Sequence, residues 1–199
     1  MGAPVVIACG ALAGELRAVL AADGLSAVDV HYLPANLHNR PERIVVAIEQ
    51  LLDDIGHDDV FLAYADCGTG GGIDVLCQRR PGLRRLPGAH CYEVFAGAEL
   101  FARLHDDEPG TFYLTDFLAR HFDALVWTGL GLDRHPELRG QLFAHYRQVV
   151  LLDQADDPDV LVAAQYAADR LALPLTRHRV GRDHLVAALP EPIRRVEVR

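Results

Sequence analysis

The sequence predicts an α/β protein: one domain over residues 1–199, with an open, mainly parallel, Rossmann-like sheet and helices on both faces. Three observations lead there. Short apolar runs alternate with stretches of helical spacing along most of the chain, the pattern of strand then helix repeated. Half of the 199 residues are hydrophobic, enough for one sizeable core. No Pro-, Gly- or Ser-rich stretch reads as a linker between domains.

The elements follow in order. Residues 4–9 form a buried strand, and 11–22, ALAGELRAVLAA, a helix of good helix formers that Gly24 is placed to end. VDVHYL is the second strand. Pro34 and Pro41 make PANLHNRPE a loop before the helix RIVVAIEQLLDDI. VFLAYA is the third strand and enters the turn DCGTGGG, after which IDVLCQRR is helical. Arg79, Arg80, Arg84 and Arg85 stand around a proline and a glycine and read as a solvated loop, with an anion site as the alternative. CYEVFAGAELFARL reads as a helix, TFYLT as a short extended piece, DFLARHF as a helical stretch, and ALVWT (124–128) as a strand candidate. PELRGQLFAHY is helical and QVVLL a strand. DPDVLVAAQYAADRLAL is a helix opened by an Asp cap and a proline in its first turn, and LTRHRV a last strand.

Composition removes several functions. The chain has no lysine, which excludes a Walker P-loop and Schiff-base chemistry. Its one serine, Ser26, lies in a turn between DGL and AVDV, so no serine-hydrolase elbow exists. A net charge of -9 argues against nucleic acid and against an anionic membrane surface. No segment has the length of a transmembrane helix, and the first residues lack the features of a signal peptide, so a cytoplasmic protein is expected. In that reducing compartment four cysteines read as metal ligands, redox groups or core filler rather than as disulfides.

Ligands of open α/β sheets bind at the carboxyl ends of strands, where the strand order reverses. Cys9, ending PVVIACG, and Cys67, ending VFLAYADCG, both fall at that edge, and Cys91 follows in GAHCYE. Each comes from a different loop, so sequence separation does not prevent convergence, and thiolate is the softest ligand a protein owns. No C-x-x-C pair marks a zinc ribbon. Cys77 has apolar neighbours at helical spacing and reads as a core thiol. Gly68 and Gly70 let a ligand approach the main chain, although DCGTGGG matches neither a dinucleotide fingerprint nor a P-loop. Asp66 is either an Asx turn or a partner of a metal ligand, with the turn favoured. Of ten histidines, His38 and His90 are the candidates for a fourth ligand: the first follows the second strand, and the second adjoins Cys91. Cys91 beside His90 is a weak nucleophile–base pair, because adjacent residues rarely face each other.

ACGALAGEL, YADCGTGG, HCYEVFAG and EPGTFYLTDFL, in that order, resemble the successive signatures of the bacterial and archaeal domain-of-unknown-function family 1638, from residue 5 to about residue 155. Cys9, Cys67 and Cys91 fall on the family's cysteine positions and Cys77 does not. Genes of the family often accompany corrinoid-dependent methyltransferases acting on methylamines or betaines. The resemblance therefore implies a role in corrinoid-linked methyl metabolism, with a corrinoid protein or methyltransferase as partner and a small-molecule ligand at the site. Three thiolates suit an iron-sulfur cluster with one open iron, or zinc with His38, His90 or an exchangeable ligand. Without a clear fourth ligand the cluster suits them better. The alternative is a non-catalytic accessory or maturation factor with a structural metal.

Overall fold

The structure, a computed structural model, describes residues 3–22 and 28–194; Gly24 and Ser26 lie outside the described residues. The chain forms two compact units, one from the described residues up to Val94 together with those from His184 onward, the other Phe95–Asp183.

In the first unit β1 (Val5–Cys9) is buried at every residue and lies at the centre of the sheet. A 3-10 turn, Gly10–Leu12, runs directly into α1 (Ala13–Ala22). β2 (Asp29–Leu33) is followed by the 3-10 turns Ala35–Asn39 and Pro41–Arg43 and by α2 (Ile44–Ile55). Ile44, Ile48 and Leu52 form the buried stripe of α2 at four-residue spacing. Gly56 ends the helix in the left-handed conformation (φ 66°). β3 (Val60–Ala63) leads through the Gly-rich turn to α3 (Gly72–Arg79), then β4 (Leu83–Arg85) and α4 (Cys91–Ala96).

The first sheet runs β2-β1-β3-β4 and is parallel at each pairing. From β1 the chain crosses to β2 on one side and then to β3 on the other. The order therefore reverses between β1 and β3, and right-handed crossovers place α1 and α2 on opposite faces. Val5 pairs with Asp29 and with Val60, so the ends of β1 and β3 lie side by side.

The second unit contains α5 (Ala98–Asp107), β5 (Thr111–Thr115), α6 (Asp116–Arg120), α7 (Arg139–Leu142), β6 (Gln148–Asp153), α8 (Pro158–Leu171) and β7 (Leu175–Arg179). Its sheet, β5-β6-β7, is also parallel and shows no reversal. Asp157 caps α8 by accepting from the Asp159 amide, with Pro158 in the first turn as the sequence suggests. Leu114, Phe122, Val149, Leu151, Val160 and Ala164 form the heart of the core. After β7 come α9 (Asp183–Ala188) and α10 (Glu191–Arg194).

The α/β class and the parallel pairing expected from the strand–helix alternation hold among the described residues, with their seven strands shared between two sheets. Three local expectations are corrected. Residues 124–128 are not a strand: Asp123–Trp127 is a π-helical turn, because Phe122 and Val126 are buried four residues apart while the residues between them are exposed or half-buried. The helix foreseen from Cys91 breaks at Gly97 (φ 76°) into α4 and α5. The Arg-rich loop contains the edge strand β4. Its arginines are paired, Arg79 with Glu49, Arg80 with Asp53, Arg84 with Asp59 and Arg85 with Asp74, so they do not gather as an anion site. Among the described residues no helix is long and apolar enough to cross a membrane.

Candidate metal-binding site

Cys9 is the last residue of β1 and is buried. Its Sγ accepts from the Ala11 amide at 3.3 Å, so the thiol caps the turn that opens the following helix. Next to it Gly10 passes close to the loop after β2: a Cβ there would lie 2.9 Å from the Leu33 carbonyl oxygen and 3.3 Å from the Ala35 amide nitrogen. That contact draws the Ala35–Asn39 turn over the end of β1 and carries His38 with it.

His38 Nδ1 lies 3.0 Å from the Ala35 carbonyl oxygen and 3.7 Å from Cys9 Sγ. A carbonyl only accepts, so Nδ1 carries a proton and Nε2 is left to face other partners. Burial by itself would lower the imidazole pKa. Hydrogen bonding to Cys67 and Cys9, together with their negative charge, outweighs it and raises His38 from 6.5 to about 11.

Cys67 sits in the turn after β3, itself in the left-handed region (φ 51°) and followed by Gly68 (φ 83°), Gly70 (φ 63°) and Gly71 (φ 84°). A left-handed cysteine is strained backbone and persists only where its surroundings over-determine it. Here they do. The Asp66 carboxylate accepts from Thr69 Oγ1 (2.5 Å), the Gly70 amide (3.1 Å) and the Gly71 amide (2.8 Å), and the Cys67 amide donates to the Ala89 carbonyl at 2.9 Å. Asp66 thus makes the turn, and the Gly70 amide is committed to it. The hydrogen bond from Cys91 is the largest influence on the Cys67 thiol. With the charge of His38 it overcomes burial and lowers the pKa from 9.0 to about 5. The same Cys67 contact, then burial, raises Cys91.

Cys91 opens α4, and its approach is fixed by two extensions of the β3–β4 ladder, from the Asp66 amide to the Gly88 carbonyl (3.2 Å) and from the Cys67 amide to Ala89. Arg85 holds this loop. Its guanidinium grips Asp74 of α3 through Nε (2.6 Å) and Nη2 (2.9 Å) and donates from Nη1 to the Leu86 and Gly88 carbonyls. Tyr64, fully buried, lies beside His38 with ring centroids 6.4 Å apart and planes 12° from parallel. Its hydroxyl stands near Cys9 without the geometry of a hydrogen bond, and has no partner among the described residues. A buried hydroxyl left unpaired costs about 1–3 kcal/mol.

The first unit therefore brings together Cys9, Cys67, Cys91 and His38, all at the strand-order reversal. His90 is exposed, its ring 6.2 Å from that of Tyr92. Cys77 is half-buried on α3 and has no part in the cluster. Tyr64 and Arg85 were not singled out for this site: one reads as strand filler, the other as a member of a charge run. Among the described residues no three His, Cys, Asp or Glu side chains surround a common point as metal ligands; the donors hydrogen-bond one another instead.

One consequence can be measured directly. The ultraviolet thiolate absorbance of the metal-free protein should persist as pH falls and disappear around pH 5, as Cys67 takes up its proton. His38→Ala should move that midpoint upward by about one pH unit or more, because a cation facing the thiolate is lost. A midpoint unmoved by the substitution would show that His38 does not face Cys67.

A parallel α/β unit whose strand order reverses between β1 and β3 places the chain in the Rossmann-like class of folds. The model of the family described as "Protein of unknown function (DUF1638)" matches residues 32–189, and the chain belongs to that family. The match starts after ACGALAGEL and continues beyond residue 155, so it covers Cys67, Cys91 and His38 but not Cys9. Neither the curated proteins nor the solved structures include a match.

Proposed function

We propose that this is a metal-binding protein in which Cys9, Cys67 and Cys91 supply three sulfur ligands and His38 the fourth donor. The observation that carries the reading is the convergence of all four at one strand-order reversal, from four different loops. In tetrahedral zinc, bonds of about 2.3 Å to sulfur and 2.0 Å to nitrogen put the two donor atoms about 3.5 Å apart. Cys9 Sγ lies 3.7 Å from His38 Nδ1, the nitrogen that keeps its proton, so the imidazole stands against the sulfur and a side-chain rotation would be needed to bring Nε2 to that edge. Coordination through Nε2 would leave Nδ1–H on the Ala35 carbonyl, the usual outer support of a histidine ligand.

His38 also changes the balance between the two metals. Three cysteines with no fourth ligand suit an iron-sulfur cluster with an open iron, whereas a Cys3His set suits one zinc ion. The presence of a half-buried imidazole against two of the sulfurs favours zinc. With four protein donors the ion would be coordinatively closed, and it would offer a Lewis-acid position to a small thiol only where that thiol displaced His38, the one donor that is not a thiolate. That chemistry fits the corrinoid-linked methyl metabolism implied by the family resemblance, as a methyl-handling protein or as an accessory factor for a corrinoid protein or methyltransferase.

Anaerobic purification followed by metal and sulfide analysis tests the proposal. One zinc per chain and no colour is the expected result. Iron with acid-labile sulfide and a brown absorption would assign the cluster to the same cysteines. Protein that takes up neither zinc nor iron would end the metal reading.

A further inference from the structure

The mechanism of holding a metal leaves one buried polar group unused. Tyr64 is 0% exposed, and its hydroxyl has no hydrogen-bond partner among the described residues. Native interiors rarely leave such a group alone, and each instance calls for a ligand, an ion or a second state that satisfies it. Tyr64 immediately follows β3, three residues before Cys67, and its ring is held parallel to His38. The sulfurs of Cys9 and Cys67 are the groups whose negative charge acts on its phenol. A neutral thiol is a weak hydrogen-bond acceptor, while a thiolate is a strong one.

We propose that Tyr64 is a positioning residue of the thiol site, its hydroxyl donating to the Cys9 sulfur once that sulfur is a metal-bound thiolate. The inference rests on the metal reading of the cluster and goes beyond it by assigning the group that supports one ligand from outside. Cys9 then receives two donors, the Ala11 amide, already at 3.3 Å, and the Tyr64 hydroxyl. Two hydrogen bonds draw charge from this sulfur, so Cys9 differs electronically from Cys67 and Cys91. They also fix its rotamer, as outer partners of metal ligands commonly do.

The consequence is a pair of effects that a packing role would not produce. In the metal-free protein Tyr64→Phe removes an unpaired hydroxyl and keeps the ring, so stability should stay the same or rise. In the metal-bound protein the same substitution removes a hydrogen bond to a thiolate, so metal affinity should fall about 10-fold.

The test uses the full chain with cobalt(II) as a coloured substitute for zinc. Wild type and Tyr64→Phe are compared by cobalt affinity, by the sulfur-to-cobalt charge-transfer band and by the melting temperature without metal. A hydrogen bond lowers the energy of the sulfur lone pair, so its loss should move the band to longer wavelength. Weaker binding, a band at longer wavelength and an undiminished metal-free melting temperature are the expected results. Affinity and band unchanged would overturn the role of Tyr64 while leaving the metal site standing. Affinity lost with the band unmoved, or with an equal loss of metal-free stability, would assign Tyr64 to packing and overturn the inference. Wild-type protein that takes up no cobalt would overturn both readings.

Discussion

Cys67→Ser is expected to reduce metal affinity by more than about 100-fold, beyond the 10- to 100-fold typical for loss of an outer partner of a ligand. Cys67 is the thiol that interacts with both Cys91 and His38, so it links the other donors. It is also held below the usual thiol range, at a pKa of about 5, so at neutral pH it meets a metal already as thiolate and no proton must first be displaced. Serine fits the space and can adopt the same backbone, but its hydroxyl is a poor soft-metal ligand. The substitution should leave metal-free secondary structure unchanged by circular dichroism while competition with a chelator records the loss. Cys77→Ser, on α3 and outside the cluster, should retain wild-type affinity. Near-normal binding by Cys67→Ser would remove Cys67 from the ligand set.

Gly82→Ala is expected to destabilise the protein by about 3 kcal/mol, the upper part of the usual range for overpacking. A Cβ on Gly82 would lie 2.0 Å from the Asp58 carbonyl oxygen and 2.8 Å from its carbon, both main-chain atoms that cannot rotate away. This is the point where β4 begins its parallel pairing with β3, Leu83 opposite Val60. Displacing it disturbs the register that continues through Leu86, Gly88 and Ala89 to Cys91. Urea unfolding should show a lower midpoint at unchanged slope, and metal affinity should fall as well. Gly14→Ala is the contrasting case. Gly14 lies within α1 and a Cβ there meets nothing within 4 Å, so about 0.5–1 kcal/mol of added stability is expected from helix propensity. Equal effects at the two glycines would show that the close approach at Gly82 does not constrain the fold.

The arrangement of β1 and β3 was legible in the chain because each is an unbroken apolar run ended by a cysteine and glycine-rich turn, and α/β folds place such turns at one sheet edge. Their cysteines could therefore be nominated from position. β4 was not legible. It has three residues, only Leu83 of them buried, and it pairs along one side, so neither period nor hydrophobicity marks it. Asp123–Trp127 failed in the opposite direction: its apolar residues resemble a strand, and only packing of Phe122 and Val126 on one face selects a helical turn.

Residue types and local periodicity thus determined the α/β class, the parallel pairing, the exclusion of lysine and serine chemistry, and the nomination of Cys9, Cys67 and Cys91. Tertiary structure decided which histidine joins them, how strongly Cys67 is ionised and that Tyr64 is left with an unpaired hydroxyl. The physical reason is range. Periodicity records the choice of each segment between helix and strand. The standing of His38 depends instead on a backbone contact at Gly10, and that of Tyr64 on burial beside a sulfur from another strand. Such contacts between segments distant in sequence leave no periodic trace in the chain.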